Sequence, residues 1–193
     1  PALAPAFALA LSNLAPVATP PWADETMRLR EAYLNWSTPG DAPGEVNLAS
    51  VISELSETLD DDAIVCNGAG NNTGWLHRFF RFRGNGKQLT STSGSMGYGI
   101  PAAVAAALEY PDRQVVTVVG DGDIQMTSQE LATIVQEGLS IIVIVVNNAM
   151  LGTIRMHQEM HYPGRTRNTD LHNPRLAHNR RGASKRERQQ RMT

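Results

Sequence analysis

The sequence predicts an α/β fold in which helices cover both faces of a parallel sheet. Two apolar runs, VVTVV at 115–119 and SIIVIVV at 140–146, lack alternation of polar and apolar residues, which is typical of strands buried on both faces. Segments with helical spacing separate these runs, and this order is typical of βαβ units. With 193 residues, of which 41% are hydrophobic and 19% charged, the chain can bury a core.

The N-terminal half is predicted to hold two helices before the first strand. Ala23–Trp36 has helical spacing, and the segment STPGDAPGE at 37–45 is a linker because it is rich in Pro and Gly. In Asn47–Leu59 apolar residues recur at positions 48, 51, 52, 55 and 59, so one face of that helix is apolar. A short strand is predicted over Ala63–Cys66, and the stretch GAGNN at 68–72 leads from it into a helix.

The remaining elements alternate between strands and helices. The predicted order is a strand or loop over 88–96, a small-residue helix over Gly97–Tyr110, a strand over Gln114–Val119, a helix over Thr127–Glu137, a fully buried strand over Ser140–Val146 and a helix over Leu151–Met160. Pro111 stops the first of these helices. We expect a Thr or Ser before Glu130 to start the second helix as a capping box, and Gly138 to end it.

Charge and cysteine content restrict the class of protein. Residues 1–164 carry 8 basic and 17 acidic groups, a net charge of −9, whereas residues 165–193 carry 9 basic and 2 acidic groups, a net charge of +7. Because the tail at 175–193 has so few apolar residues, we expect it to be disordered rather than an arm that binds nucleic acid. The lone Cys66 excludes an internal disulfide and fits a reducing compartment. No apolar run reaches the roughly 20 residues of a bilayer span. We therefore expect a cytoplasmic protein without membrane or nucleic-acid partners.

Polar residues follow two of the predicted strands at the edge where parallel strands end. One strand leads into Gly120-Asp121-Gly122 and the other into Asn147-Asn148. Ligands of open α/β sheets bind beyond the carboxyl ends of the strands, and a carboxylate with an amide oxygen suits Mg²⁺ or Ca²⁺. The glycines would let backbone N–H groups approach phosphate oxygens, and a helix starting near Thr127 would add its positive dipole end. The alternative is structural, with GDG as a tight turn and the Asn pair as a helix cap.

The order of these motifs resembles the cofactor-binding domain of thiamine diphosphate-dependent enzymes. The shared pattern is GDG, then QMTSQELATIVQEGL, then an apolar strand ending in NN. The resemblance implies that the Asp of GDG and the second Asn, 27 residues later, bind a divalent cation, and Asp121 and Asn148 have that spacing. It also implies a third ligand, the backbone carbonyl of Met150. Thiamine diphosphate and Mg²⁺ are therefore the expected cofactors.

Other motifs narrow the resemblance to the acetolactate synthase (acetohydroxyacid synthase) branch and its carboligase and decarboxylase relatives. These motifs are STSGSMGYGIPAA at 91–103, QMTSQELATIV at 125–135 and TDLHNP at 169–174. The resemblance covers roughly residues 46–174 and implies a truncated thiamine diphosphate-binding fold. Residues 1–36 resemble the end of a preceding central domain. The resemblance is lost at the basic tail, for which we hypothesise a frameshift or a truncation.

The resemblance carries several cofactor contacts over to single residues. Asn71 and Asn72 stand where the family has Gln and His beside the diphosphate, and their amides can donate to phosphate. Met96 matches the hydrophobic residue that supports the bent cofactor, with Ser95 next to it, although core packing alone would also account for this methionine. Asp123 falls where Ser or Ala is common, so only its backbone is assigned to the cofactor. The predicted set is completed by Gly120, Gly122 and Met150.

The implied enzyme is a lyase or transferase that decarboxylates a 2-oxo acid such as pyruvate and joins the product to an acceptor. In the family the glutamate that activates the cofactor lies in another domain, supplied by the neighbouring subunit. We therefore assign no catalytic residue to this chain and expect it to be inactive in isolation. The resemblance further implies a homodimer or tetramer at full length, with FAD only in some full-length relatives. Two other hypotheses stay open: a non-catalytic flavodoxin-like module that binds phosphate or nucleotide, and a non-functional truncated gene product.

Overall fold

The computed structural model describes residues 11–14 and 18–176, and the chain divides into two compact units, 1–38 and 39–193. In the first unit helix α1 spans Ala23–Trp36, as its spacing predicted. Asp24 and Glu25 lie in the first turn of α1, where the helix dipole favours negative charge. The predicted disorder of the tail at 175–193 lies outside the described residues, apart from the first two positions.

The second unit alternates strands and helices, and most of their ends lie within three residues of the predicted ones. Its strands are β1 (Ile64–Asn67), β2 (Lys87–Thr90), β3 (Val115–Gly120) and β4 (Ile141–Val146). Its helices are α2 (Leu48–Thr58), α3 (Asn71–Phe79), α4 (Gly99–Glu109), α5 (Asp121–Ile124), α6 (Glu130–Gln136) and α7 (Gly152–His161). Within the described ranges no helix combines the length and the apolar content needed to cross a bilayer.

The four strands form one parallel sheet in the order β2-β1-β3-β4. Side chains that alternate along the two central strands point to opposite faces of the sheet. On one face Val65, Val116 and Val118 pack with apolar residues of α2 and α3, and on the other Ile64 and Val115 pack with the alanines of α4. Helices therefore cover both faces, which confirms the predicted fold class.

The prediction that the strand at 140–146 is fully buried was wrong. All five residues from Val115 to Val119 of β3 are buried, whereas Ile142 of β4 is 48% exposed. β4 pairs with β3 on one side only and so forms an edge of the described sheet. A strand with a single neighbour keeps part of its side chains in contact with solvent, although its composition resembles that of a central strand.

The predicted capping box before Glu130 was also wrong. Helix α6 begins at Glu130 itself, and its N-cap, Gln129, makes no side-chain capping bond. The Thr127 hydroxyl instead donates to the Gly97 carbonyl at 3.1 Å and so links two loops. The helix dipole expected near Thr127 is therefore displaced by three residues. Gly138 follows the helix with a φ of +63°, the left-handed conformation typical of a glycine that ends a helix, and this confirms its predicted place.

Candidate functional site

The residues that follow β3 and β4 lie side by side at the carboxyl edge of the sheet, as predicted. The strand register pairs Gly120 with Val146, so Asp121 and Asn147 are the next residues at neighbouring strand ends. On the other side of β3, the Gly68 amide donates to the Val118 carbonyl at 3.2 Å. Three loops, after β1, β3 and β4, thus meet at one edge.

The Asp121 carboxylate is buried and belongs to a closed hydrogen-bond network. The residue is only 2% exposed. Asn173 Nδ2 donates to Asp121 Oδ2 at 2.5 Å and to Asn147 Oδ1 at 2.9 Å. Gln125 Nε2 donates to Asn173 Oδ1 at 2.9 Å and to the Asp121 backbone carbonyl at 3.0 Å. No hydrogen bond to the other carboxylate oxygen, Oδ1, is found in the described part of the chain.

The loop after β4 is shaped by two successive side-chain turns. Asn147 Oδ1 accepts from the Ala149 amide at 3.1 Å, and Asn148 Oδ1 accepts from the Met150 amide at 3.2 Å. Ala149 consequently has a φ of +54°, a conformation that residues other than glycine rarely adopt. Met150 then forms an antiparallel bridge with Asp170. The predicted cation ligands Asn148 and Met150 thus lie on a tightly held turn.

The two asparagines that open α3 have different surroundings. Asn71 is exposed, and its Oδ1 accepts from the Thr153 hydroxyl of α7 at 2.8 Å. Asn72 is buried, and its Nδ2 has no hydrogen-bond partner among the described residues. An unpaired buried amide costs about 1–3 kcal/mol, so this donor is available to an acceptor that enters the site. The nearest heavy atoms to a Cβ placed on Gly120 would be Asn72 Oδ1 at 3.7 Å and Asp123 Cβ at 3.8 Å.

An open cavity of about 430 Å³ lies between these loops and α7. It is lined by Asn71, Asn148, Met150, Gly152, Arg155, Met156, Glu159 and Met160. Three of the predicted site residues therefore share one cavity. Arg155 donates to Glu159 at 3.0 Å and to Asp170 at 2.8 Å, so its charge is already compensated.

Asp123 is buried, does not line the cavity, and contacts two glycine-rich loops. Its Oδ1 accepts from the Gly97 amide, whereas its Oδ2 has no hydrogen-bond partner among the described residues. A Cβ on Gly68 would overlap Oδ2 and lie 2.7 Å from Oδ1, so only glycine fits there. Burial raises the pKa of the Asp123 carboxyl, and the nearby amides of Gly97, Gly120 and Ala69 oppose that shift because they favour the charged form. Its side chain therefore serves to hold the loops together.

Met96 and Gly122 pack together, whereas Ser95 lies apart. Met96 is half-buried, and its Cε would lie 3.5 Å from a Cβ on Gly122. The same Cβ would lie 3.0 Å from Leu151 Cδ2 and 3.1 Å from Leu171 Cδ1, so Gly122 allows a close approach of side chains. Ser95 is exposed, with its hydroxyl 2.7 Å from that of Ser93, and it does not line the cavity.

The sequence alone did not reveal the roles of Asn173 and Gln125, which contact Asp121. The motif TDLHNP at 169–174 contributed to the resemblance, but no role was assigned to its asparagine. The interaction joins residues 52 positions apart, and no local pattern encodes such a contact. The described residues contain no group of three or more His, Cys, Asp or Glu side chains able to hold a metal. A cation site here would thus depend on one carboxylate with amide and carbonyl oxygens.

Comparison with known proteins agrees with this geometry. Residues 68–184 match the family described as "Thiamine pyrophosphate enzyme, C-terminal TPP binding domain". The acetolactate synthase large subunit of Corynebacterium glutamicum is 42% identical over 124 residues, which are 64% of this chain and 20% of that protein. Acetolactate synthase 2, chloroplastic, of Nicotiana tabacum is 36% identical over 155 residues, which are 79% of this chain and 23% of that protein.

A solved structure is similar as well. The thiamine diphosphate-dependent 4-hydroxybenzoylformate decarboxylase of Rhodococcus jostii RHA1 superposes with a TM-score of 0.64 and 26% identity. The match covers 70% of this chain and 26% of that one. The chain thus spans about a fifth to a quarter of the proteins that it matches. It belongs to the thiamine pyrophosphate enzyme family, of which it carries the C-terminal TPP-binding domain.

Proposed function

We propose that this domain binds thiamine diphosphate through Mg²⁺, with the Asp121 carboxylate, the Asn148 amide oxygen and the Met150 carbonyl as protein ligands of the cation. The donor set supports the proposal, because Mg²⁺ prefers hard oxygen ligands and takes only one or two carboxylates. The position supports it too, since ligands of parallel sheets bind at the carboxyl edge of the strands. Asp121 and the loop with Asn148 lie at that edge, on adjacent strands.

The unpaired Asn72 amide is the observation that carries the proposal towards a diphosphate. Its Nδ2 is buried without a protein acceptor among the described residues, and phosphate oxygens are strong acceptors. A Cβ on Gly120 would lie 3.7 Å from Oδ1 of the same side chain, so the glycine leaves room beside Asn72 for backbone N–H groups that could contact the same phosphate. Asn71, on the cavity wall, is the second amide of the proposed phosphate pocket. Met96 and Gly122 support the adjoining loop, and the Asp123 backbone is assigned to the same pocket.

We infer further that the domain belongs to an acetolactate synthase-like carboligase or decarboxylase acting on 2-oxo acids such as pyruvate. When bound, the thiazolium ring of the cofactor supplies the carbanion chemistry that such reactions require. The names of the matched acetolactate synthases support this assignment. Since the chain spans only a fifth to a quarter of those relatives, the activity and a homodimer or tetramer apply to the full-length enzyme. The separate chain is expected to show no turnover.

Ligand-dependent stabilisation tests the proposal directly. Thiamine diphosphate with Mg²⁺ should raise the melting temperature of the chain, and EDTA should reverse the shift. A ligand at 100 times its Kd stabilises the native state by about 2.7 kcal/mol. Asp121→Asn and Asn148→Ala should remove the shift, while Asn85→Ala, an exposed amide distant in sequence from these loops, should keep it. Binding that survives EDTA and Asn148→Ala would instead favour a simple phosphate-binding module.

A further inference from the structure

We propose that Asn173 is a positioning residue that holds the Asp121 carboxylate so that a single oxygen faces the cation. The inference rests on the proposed function, since it concerns the same cation. Asn173 Nδ2 donates to Oδ2 of Asp121 at 2.5 Å. With that oxygen engaged, Oδ1 is the oxygen left for a metal ion, and the carboxylate binds it as a monodentate ligand.

The hydrogen-bond network determines how the Asn173 amide is oriented. A backbone carbonyl can only accept, so the atom of Gln125 that contacts the Asp121 carbonyl at 3.0 Å must be the donor Nε2. The same Nε2 donates to Asn173 at 2.9 Å, and the atom that it reaches is therefore the acceptor Oδ1. Asn173 Nδ2 must then face Asp121 and Asn147. Each amide has only one orientation that satisfies all of these contacts.

The backbone around Asn173 is attached to the turn that carries the other proposed ligands. The Leu151 amide donates to the Thr169 carbonyl at 2.7 Å, and the Leu171 amide donates to the Ala149 carbonyl at 2.8 Å. Thr169 is buried, with 2% exposure. The segment 169–173 thus runs antiparallel to the turn that holds Asn148 and Met150, and it reaches Asp121 at its end. Asn173 connects the ligand after β3 to the ligands after β4.

The consequence for cation choice follows from coordination chemistry. Mg²⁺ demands a near-ideal octahedron with short bonds, whereas Ca²⁺ accepts six to eight oxygens and often a bidentate carboxylate. A carboxylate that has one oxygen held by an amide suits Mg²⁺ and withholds the second oxygen from Ca²⁺. Removal of the amide should therefore weaken the binding of Mg²⁺ more than the binding of Ca²⁺. A general loss of packing around the site would weaken the binding of both ions to the same extent.

Calorimetric titration with Mg²⁺ and with Ca²⁺, each in excess thiamine diphosphate, tests the inference. Asn173→Leu keeps the number and branching of the side-chain heavy atoms and removes the amide. We expect Mg²⁺ affinity to fall 10- to 100-fold, the usual range for outer ligand partners, and the ratio of Mg²⁺ to Ca²⁺ affinity to fall with it. Gln125→Ala, at an exposed position, should shift the ratio in the same direction by a smaller factor. Asn85→Ala should leave both affinities unchanged.

The outcomes separate this inference from the proposed function. Equal losses for the two cations, or no loss, in Asn173→Leu would overturn the inference while Asp121→Asn still abolished binding. If Asp121→Asn left cation binding intact, the proposed function would fail and the inference with it. Far-ultraviolet circular dichroism of each variant without metal checks the fold. If Asn173→Leu fails to fold, the ratio of Mg²⁺ to Ca²⁺ affinity in Gln125→Ala becomes the test. An unchanged ratio in that variant would overturn the inference.

Discussion

The contact between Gly68 and Asp123 allows a quantitative test of how the loops of the site are held. A Cβ on Gly68 would overlap Asp123 Oδ2 and lie 2.7 Å from Oδ1. Asp123 has little room to move, because it is 1% exposed and its Oδ1 accepts from the Gly97 amide. Gly68→Ala must therefore either strain the surrounding core or displace the carboxylate from Gly97.

Both consequences can be expressed as free energies of unfolding. Overpacking of a buried site costs about 1–3 kcal/mol, and loss of a hydrogen bond to a charged group costs about 1.5–3 kcal/mol. Replacement of glycine stabilises by about 0.4–1 kcal/mol through the unfolded chain. We expect Gly68→Ala to lower the free energy of unfolding by about 1–2 kcal/mol or more. In the background of Asp123→Ala, the space is free and the bond is already lost, so the same change should cost close to nothing.

Urea unfolding of the four proteins in this double-mutant cycle measures the coupling. We expect a coupling energy of about 1–3 kcal/mol, within the range of residues in direct contact. If Gly68→Ala lowered the free energy of unfolding by the same amount with Asp123 as with alanine at position 123, the two residues would not compete for this space. Unchanged slopes of the unfolding free energy against urea would show that the variants still unfold as compact proteins.

Three further predictions concern packing, thiol ionisation and the phosphate pocket. Gly99→Ala should destabilise the protein by about 1–3 kcal/mol, because the added Cβ would lie 2.5 Å from Val119 Cγ1. Gly74 is exposed on α3 and an added Cβ would have nothing within 4 Å, so Gly74→Ala should stabilise the protein by about 0.5–1 kcal/mol. Urea unfolding measures both changes. Burial raises the pKa of the Cys66 thiol from 9.0 to about 12, so the unfolded chain loses this proton at a lower pH than the folded protein does. The free energy of unfolding should therefore fall as the pH rises from about 9 to about 12. Cys66→Ala should reduce this pH dependence. Native Cys66 should also resist a thiol reagent at pH 8 until the protein unfolds, and fast labelling of folded protein would contradict its burial. Asn72→Ala should weaken the binding of thiamine diphosphate, as measured by calorimetric titration. The melting temperature without ligand should stay unchanged or rise, because the substitution removes an unpaired amide. An unchanged affinity would exclude this amide as a phosphate donor.

Burial of the central strands could be predicted because a local pattern encodes it. Val115–Val119 is apolar at every position, and both faces of β3 are covered. A small-residue helix was likewise predicted over Gly97–Tyr110, and several of its alanines pack against the sheet. The strand at 140–146 has the same composition, yet its place at the edge leaves Ile142 exposed. An edge strand and a central strand differ in the number of neighbouring strands, and a run of apolar residues does not specify that number.

In the candidate site, too, some features could be predicted from the sequence and others depend on tertiary contacts. Asp121 and Asn148 were predicted from their position after two strands and from the resemblance to a family whose cation ligands have the same spacing of 27 residues. A Thr or Ser before Glu130 was expected to cap a helix, but the tertiary structure places the hydroxyl of Thr127 against the Gly97 carbonyl instead. A threonine hydroxyl can satisfy either partner, and the loop that happens to pack beside it decides between them.

The amino-acid sequence by itself determined the alternation of strands and helices and the parallel sheet, because apolar periodicity is a local property of the chain. It also indicated the family, because motifs such as GDG and NN can be recognised by their resemblance without a structure. Only the tertiary structure decided which strand lies at the edge, why Gly68 must be a glycine, and that Asn173 holds Asp121. These features depend on contacts between residues as many as 55 positions apart, which form only when the strands and their loops have come together.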